Sequence, residues 1–84
     1  MEINLSIISK SGLVYSGKGS SISLPLEDGL YGILPNHSPA VIALSKGNLF
    51  FETEGNKSGF CISDGIMVFE NNNARVLVGT CTKA

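Results

Sequence analysis

A period of two runs through this chain almost from end to end, and it leaves little room for any fold but a layered one made of strands. Ile3, Leu5 and Ile7 alternate with Asn4 and Ser6, and Ile22, Leu24 and Leu26 alternate with Ser21 and Ser23. Phe60 and Ile62 alternate with Gly59, Cys61 and Ser63, and Val76 and Val78 with Arg75 and Leu77. Such alternation sets one face of each strand against a core and the other outside. Turn signals punctuate it at Ser11-Gly12, Ser16-Gly17, Asp28-Gly29, Lys46-Gly47-Asn48, Gly55-Asn56, Asp64-Gly65 and Asn71-Asn72-Asn73. Gly, Asn and Asp tolerate the positive φ that tight turns need. Asp64-Gly65, between two apolar runs, is the strongest hairpin signal. No window sustains a helical period, and Val41–Leu44 fits a strand better than a helical turn begun at Ser38-Pro39. The expectation is an all-β fold: a two-sheet antiparallel β-sandwich of about nine to ten short strands. Residues 1–84 form one domain, with Cys81-Thr82-Lys83-Ala84 trailing after the last strand.

Several strands are apolar on both sides. Leu49 and Phe51 share a face, with Phe50 opposite; Met67 and Phe69 share a face, with Ile66 and Val68 opposite. Val41/Ala43 and Ile42/Leu44 are both apolar pairs, and Ile8 and Leu77 fall opposite their core neighbours. A sandwich has one inner face per sheet, so the second set belongs outside or near an edge. Charged residues are only 15% of the 84 residues, against roughly 25% in ordinary soluble domains. Few charges and large outward apolar side chains together point to a partner surface.

The formal net charge is −1, with Lys and Arg spread singly, so nothing is patterned to neutralise phosphates or stack bases. Nucleic acid and direct insertion into lipid are therefore not expected, and no stretch approaches the ~18 apolar residues of a membrane span. Met1-Glu2-Ile3-Asn4 has no basic region of a secretory leader, which favours a reducing compartment with Cys61 and Cys81 as buried free thiols. A bond between the two stays open, because both lie in strands that can be neighbours. His37 is the only histidine, and no spacing sets a nucleophile or an orienting carboxylate beside it. A metal held by His37, Cys61 and Cys81 requires three distant positions to converge. Gly17-Lys18-Gly19-Ser20-Ser21 lacks the full phosphate-loop spacing and reads as a bend. No catalytic residue, cofactor or metal is expected.

The run Asp28-Gly29-Leu30-Tyr31-Gly32-Ile33-Leu34-Pro35-Asn36-His37-Ser38-Pro39 resembles the signature of the ε subunit of F-type ATP synthases. In that family an acidic-Gly pair leads to an aromatic or Leu, Gly, a β-branched residue, a Leu or Tyr, and then Pro-Gly-His-Ala-Pro. Val14-Tyr15-Ser16-Gly17 resembles the early hydrophobe-aromatic-Ser-Gly turn, and Ala43-Leu44-Ser45-Lys46-Gly47 the family's Ala-Leu-Lys-Pro-Gly. Ser63-Asp64-Gly65 stands where Ser-Gly-Gly is usual, and Val76-Leu77-Val78-Gly79-Thr80-Cys81 resembles Val-Leu-Ala-Asp-Thr-Ala. Asn36 and Asp64 each replace a Gly of the pattern, and both residue types tolerate the turn. The family usually continues into a two-helix C-terminal domain, which is expected to be absent from this chain, so inhibition or ATP sensing by those helices is not carried over.

The resemblance implies a non-catalytic rotor subunit of the central stalk. It would bind the γ subunit and the c-ring of the membrane sector and couple proton or sodium flow to ATP synthesis. It also implies a peripheral membrane location, on the cytoplasmic face of a bacterial inner membrane or the stroma or matrix side in an organelle. Carried over by position, Glu27, Asp28, Gly29, Leu30 and Tyr31 form the ring-contact loop, and Ser9, His37 and Ile42 face γ. Ile8 and Leu44 join the γ patch from the alternation. Two rival readings are an unrelated β-sandwich interaction module and a small hydrolase using His37 as base.

Overall fold

A computed structural model describes residues 2–84. Ten strands follow in order: β1 (Ile3–Ser9), β2 (Gly12–Gly19), β3 (Ser21–Leu26), β4 (Gly29–Ile33), β5 (Ala40–Leu44), β6 (Gly47–Thr53), β7 (Asn56–Ile62), β8 (Gly65–Glu70), β9 (Asn73–Val78) and β10 (Cys81–Lys83). They form two five-stranded sheets: sheet I in the order β2-β1-β9-β8-β5, sheet II in the order β10-β7-β6-β3-β4. The two-sheet fold is the one the period of two predicts, and the inward residues are those it selects. Ile3, Leu5, Ile7, Met67, Phe69 and Val76 of sheet I meet Ile22, Leu24, Leu49, Phe51, Phe60 and Ile62 of sheet II in one core. No polar side chain is buried among the described residues.

At the β2 edge, Tyr15 closes the sandwich with its ring 4.9 Å from Phe60 and 6.0 Å, edge-on, from Phe51. Gly17 leaves the space that the Tyr15 ring fills, so Ser16-Gly17 lies inside β2 and is not a turn. At the other side, the Ser45 N–H donates to the Pro25 carbonyl at 2.9 Å and joins the end of β5 to β3.

Four tight hairpins build the sheets: β1–β2, β3–β4, β6–β7 and β8–β9. Glu54 (φ 44) with Gly55 (φ 82), and Asn71 (φ 52) with Asn72 (φ 60), have the paired positive φ of type I′ turns.

Asp64-Gly65, the expected hairpin, is instead a crossover, because it carries the chain from β7 in sheet II to β8 in sheet I. Gly65 is needed there for close approach: a Cβ would strike the Leu77 carbonyl and Val78. Lys46 likewise lies between strands of different sheets.

Two more departures concern pairing. β1 and β9 run parallel, so sheet I is mixed and not wholly antiparallel. These strands lie far apart in sequence and need no short connection. Residues Cys81–Lys83 do not trail; they form β10, an edge strand on β7. Ser63 pins that return, since its Oγ accepts both the Gly79 and Thr80 N–H groups at 3.0 Å.

Candidate functional site

The outer face of sheet I carries an unbroken apolar row perpendicular to the strands. Leu13 of β2 lies opposite Ile8 of β1, and Ile8 lies opposite Leu77 of β9. Leu77 is in turn opposite Ile66 of β8, which is opposite Ala43 of β5. Leu13, Leu77 and Ile66 are 66%, 39% and 41% exposed, so the row is open to solvent along its length. The next row along the strands is Ser16, Ser6, Arg75, Val68 and Val41, with apolar residues only at the β8–β5 end. A third row, with Lys18, Asn4, Asn73 and Glu70, is polar. The face thus grades from apolar to polar along the strands. Its apolar row is about 19 Å long, four strand spacings.

Sheet II is different. Its outward aromatic, Phe50, is half-buried, with the Lys57 ammonium 4.8 Å from the ring centre. Around it stand Ser21, Ser23 and Glu52. Phe50 is thus covered by its own neighbours on sheet II, whereas the row on sheet I is left bare; on sheet II the exposed Leu30 stands apart, on the edge strand β4.

Of the residues expected to face γ, the structure places only Ile8 on the bare face. Leu44 is in the core, 4% exposed, and Ile42 turns inward to pack against it. The phase of β5 is set by pairing: Val41 sits opposite outward Val68 and Ala43 opposite outward Ile66, which sends Ile42 and Leu44 the other way. The expectation that Leu44 belongs to the exposed patch is therefore corrected. Ser9 is half-buried at the end of β1, opposite Gly12, just past the irregularity between Ile7 and Ile8. Leu13, Val41, Ile66, Val68 and Leu77 carry the face and were not among the selected contacts. The alternation already set Leu77 opposite Val76 and Val78; for Val41, Ile66 and Val68 the outward phase was only one of two apolar faces, because strand register is absent from a single sequence.

A second region lies at one end. Glu27 and Asp28 turn the β3–β4 hairpin, Gly29 follows with φ 129, and all five residues from Glu27 to Tyr31 are exposed. Leu30 is 65% exposed, whereas the Tyr31 side chain folds toward the β4–β5 loop. There the Tyr31 hydroxyl is 3.0 Å from His37 Nε2, and His37 Nδ1 is 2.7 Å from the Ser38 carbonyl. A carbonyl can only accept, so Nδ1 carries a proton, and in the neutral imidazole Nε2 then accepts from the phenol. The imidazole also stands edge-on to Phe69 at 5.8 Å. Both ring nitrogens are engaged by a phenol and a backbone oxygen, which is not a Ser-His-Asp arrangement.

Cys61 and Cys81 are free, and the expectation of two buried thiols is corrected: Cys61 is exposed and Cys81 half-buried. Cys61 lies opposite Thr82, and Cys81 lies opposite inward Ile62, so the two thiols stand on opposite faces of neighbouring strands. Such divergent side chains do not meet the geometry of a disulfide. The Cys61 thiol donates to Asn48 Oδ1 at 3.0 Å.

Residues 2–84 match the family model described as the ATP synthase, Delta/Epsilon chain, beta-sandwich domain. The chain is 32% identical over 84 residues to the ATP synthase epsilon chain of Chloroflexus aggregans and 34% identical to that of a Roseiflexus species. It is 30% identical to the chloroplastic ATP synthase epsilon chain of Anthoceros angustus. All of this chain is covered in each case, and it spans 60% of the length of the two bacterial relatives and 61% of the plant one. Among solved structures, a chain of the Euglena gracilis mitochondrial ATP synthase, OSCP/F1/c-ring in rotational state 1, superposes with a TM-score of 0.90 at 21% identity. That match covers 98% of this chain and 53% of the Euglena chain. A chain of the Tetrahymena thermophila mitochondrial ATP synthase central stalk/c-ring superposes at 0.78 with 12% identity, covering 98% of this chain and 66% of that one. At those identities the likeness speaks for the fold.

Proposed function

The chain belongs to the family of ATP synthase delta/epsilon β-sandwich domains, and from that membership we propose that it is a non-catalytic rotor element of an F-type ATP synthase. It docks the outer face of sheet I on the γ subunit and presents the β3–β4 hairpin to the c-ring. In this way it couples ion translocation to ATP synthesis. Its place is peripheral to the membrane, on the cytoplasmic face in a bacterium or the stroma or matrix side in an organelle. Among the described residues no helix is long and apolar enough to cross a membrane.

The observation that carries the reading is the apolar row across all five strands of sheet I. Transfer of torque needs a stiff body with a desolvated contact. Strands hydrogen-bonded side by side give the stiffness, and the row gives the contact. Each large side chain buried there would contribute about 1.5–3 kcal/mol. Ile8 contributes from within the row, Ser9 follows it along β1 as a rim contact, and His37 lies near Asn71 and Asn72 at the polar end of the face as a more distant rim contact.

The test is the affinity of γ for an Ile66→Glu variant. Ile66 is exposed, so the fold survives, and a carboxylate in a desolvated contact should weaken binding roughly tenfold or more. Unchanged affinity defeats the assignment of this face. Reversing the charge of Glu27 or Asp28 should loosen attachment to the ring and leave γ binding intact.

A further inference from the structure

Asn72 belongs to the β8–β9 hairpin of sheet I, yet its side chain leaves that sheet. Its Oδ1 accepts the backbone N–H of Asn36 at 2.6 Å, and its Nδ2 donates to Asn36 Oδ1 at 3.2 Å. Its own carbonyl accepts the Asn4 N–H at 2.8 Å. One residue thus ties β1, the β8–β9 turn and the β4–β5 loop together.

The β4–β5 loop needs such a tie. It crosses between the sheets, from β4 of sheet II to β5 of sheet I, and has no strand ladder of its own. Its tight turn is Leu34-Pro35-Asn36-His37, closed by the His37 N–H donating to the Leu34 carbonyl at 3.2 Å. Pro at the second position and φ 69 at Asn36 fit a type II turn. The Asn36 N–H lies outside that closing bond and is held by Asn72 alone. Next along the chain, His37 binds the Tyr31 hydroxyl. The contacts therefore run from sheet I, through Asn72, Asn36 and His37, to Tyr31 at the foot of the β3–β4 hairpin.

We propose that Asn72 is a positioning residue: it fixes the β4–β5 loop so that His37 holds Tyr31, and so sets the angle between the docking face of sheet I and the β3–β4 hairpin. The functional half rests on the two-contact reading above. A body that must engage two partners at once loses effective concentration at the second when the angle between its contacts is loose.

The test compares Asn72→Gly with Asn72→Asp in the full chain. Both residues tolerate the φ of 60 at this position, so the turn survives in either. Aspartate keeps the acceptor for the Asn36 N–H, and the Asn36 amide can turn its NH2 toward the carboxylate; glycine keeps neither bond. In Asn72→Gly the Asn36 amide should exchange with solvent roughly tenfold faster or more. The imidazole nitrogen shifts of His37 should lose the single Nδ1–H form, and its NMR contacts with the Tyr31 ring should fade. Binding to isolated γ, where His37 is only a rim contact, should change less than about threefold, while binding to an F-type complex holding both γ and the ring weakens roughly tenfold. Asn72→Asp should restore all of these. Retention of the His37 tautomer and the Tyr31 contact in Asn72→Gly overturns the proposal, as does an aspartate variant that behaves like glycine. A wild-type chain that binds neither γ nor the complex defeats the functional reading instead, and the loop measurements still decide whether Asn72 positions His37.

Discussion

Ser63 shows how much one hydroxyl can hold. Both strand crossings at its end of the sandwich meet at its Oγ, which accepts the Gly79 and Thr80 N–H groups, while its own N–H donates to the Thr80 carbonyl at 3.1 Å. Ser63→Ala leaves two backbone donors unpartnered and should cost about 1–3 kcal/mol in urea unfolding. A loss too small to measure would mean that water replaces the hydroxyl. The thiols make a second case. Burial, and then the neighbouring Cys61, push the Cys81 thiol up, so folded Cys81 keeps its proton to higher pH than in the unfolded chain. The sign follows: stability from this group is present below the unfolded thiol's pKa and is lost as pH rises through the folded value. Iodoacetamide should therefore label exposed Cys61 before Cys81 at mildly alkaline pH, a difference that mass spectrometry reads directly. The outward place of Cys61 was legible, since it alternates with buried Phe60 and Ile62. The general tendency of cysteines to be buried obscured it.

Among the elements, β5 is the instructive one. Its sequence is apolar on both faces, and only the pairing with β8 decides that Leu44 is core and Val41, 72% exposed, is surface. Leu44→Ala should cost about 2–5 kcal/mol by thermal or urea unfolding. Val41→Ser should stay within about 0.5 kcal/mol. The reverse order would mean that β5 is one residue out of register. Where a strand has one polar side, as in β1 or β9, the alternation alone identified the inner residues. Where it has none, the register held the answer, and register lives in the partner strand. Asp64-Gly65 failed as a hairpin for a related reason. The dipeptide reports a glycine at a bend, and not which sheet the chain enters next. The β6–β7 turn offers an opposite test: Glu54 holds φ 44, a conformation that costs a side chain of its kind roughly 1–2 kcal/mol. Glu54→Asn should raise stability by about 1 kcal/mol, because Asn-Gly suits a type I′ turn.

At the scale of the whole molecule, two sheets of nearly equal build differ in what they leave uncovered. Sheet II screens Phe50 with Lys57, whereas sheet I leaves Leu13, Ile66 and Leu77 open in one row. Low charge content already hinted at a partner surface, and the family signature in residues 28–39 pointed to the partners. The row itself needed the fold, because it collects one residue from each of five strands scattered from Ile8 to Leu77. The clasp of Asn36 and Asn72 was equally hidden, since 36 positions separate the two amides. The most direct test of the docking face is cross-saturation NMR, with the methyl-labelled chain bound to unlabelled γ. The methyls of Leu13, Val41, Ile66 and Leu77 should lose the most intensity and those of the core the least. Transfer concentrated on sheet II, or none from γ to this row, would contradict the account.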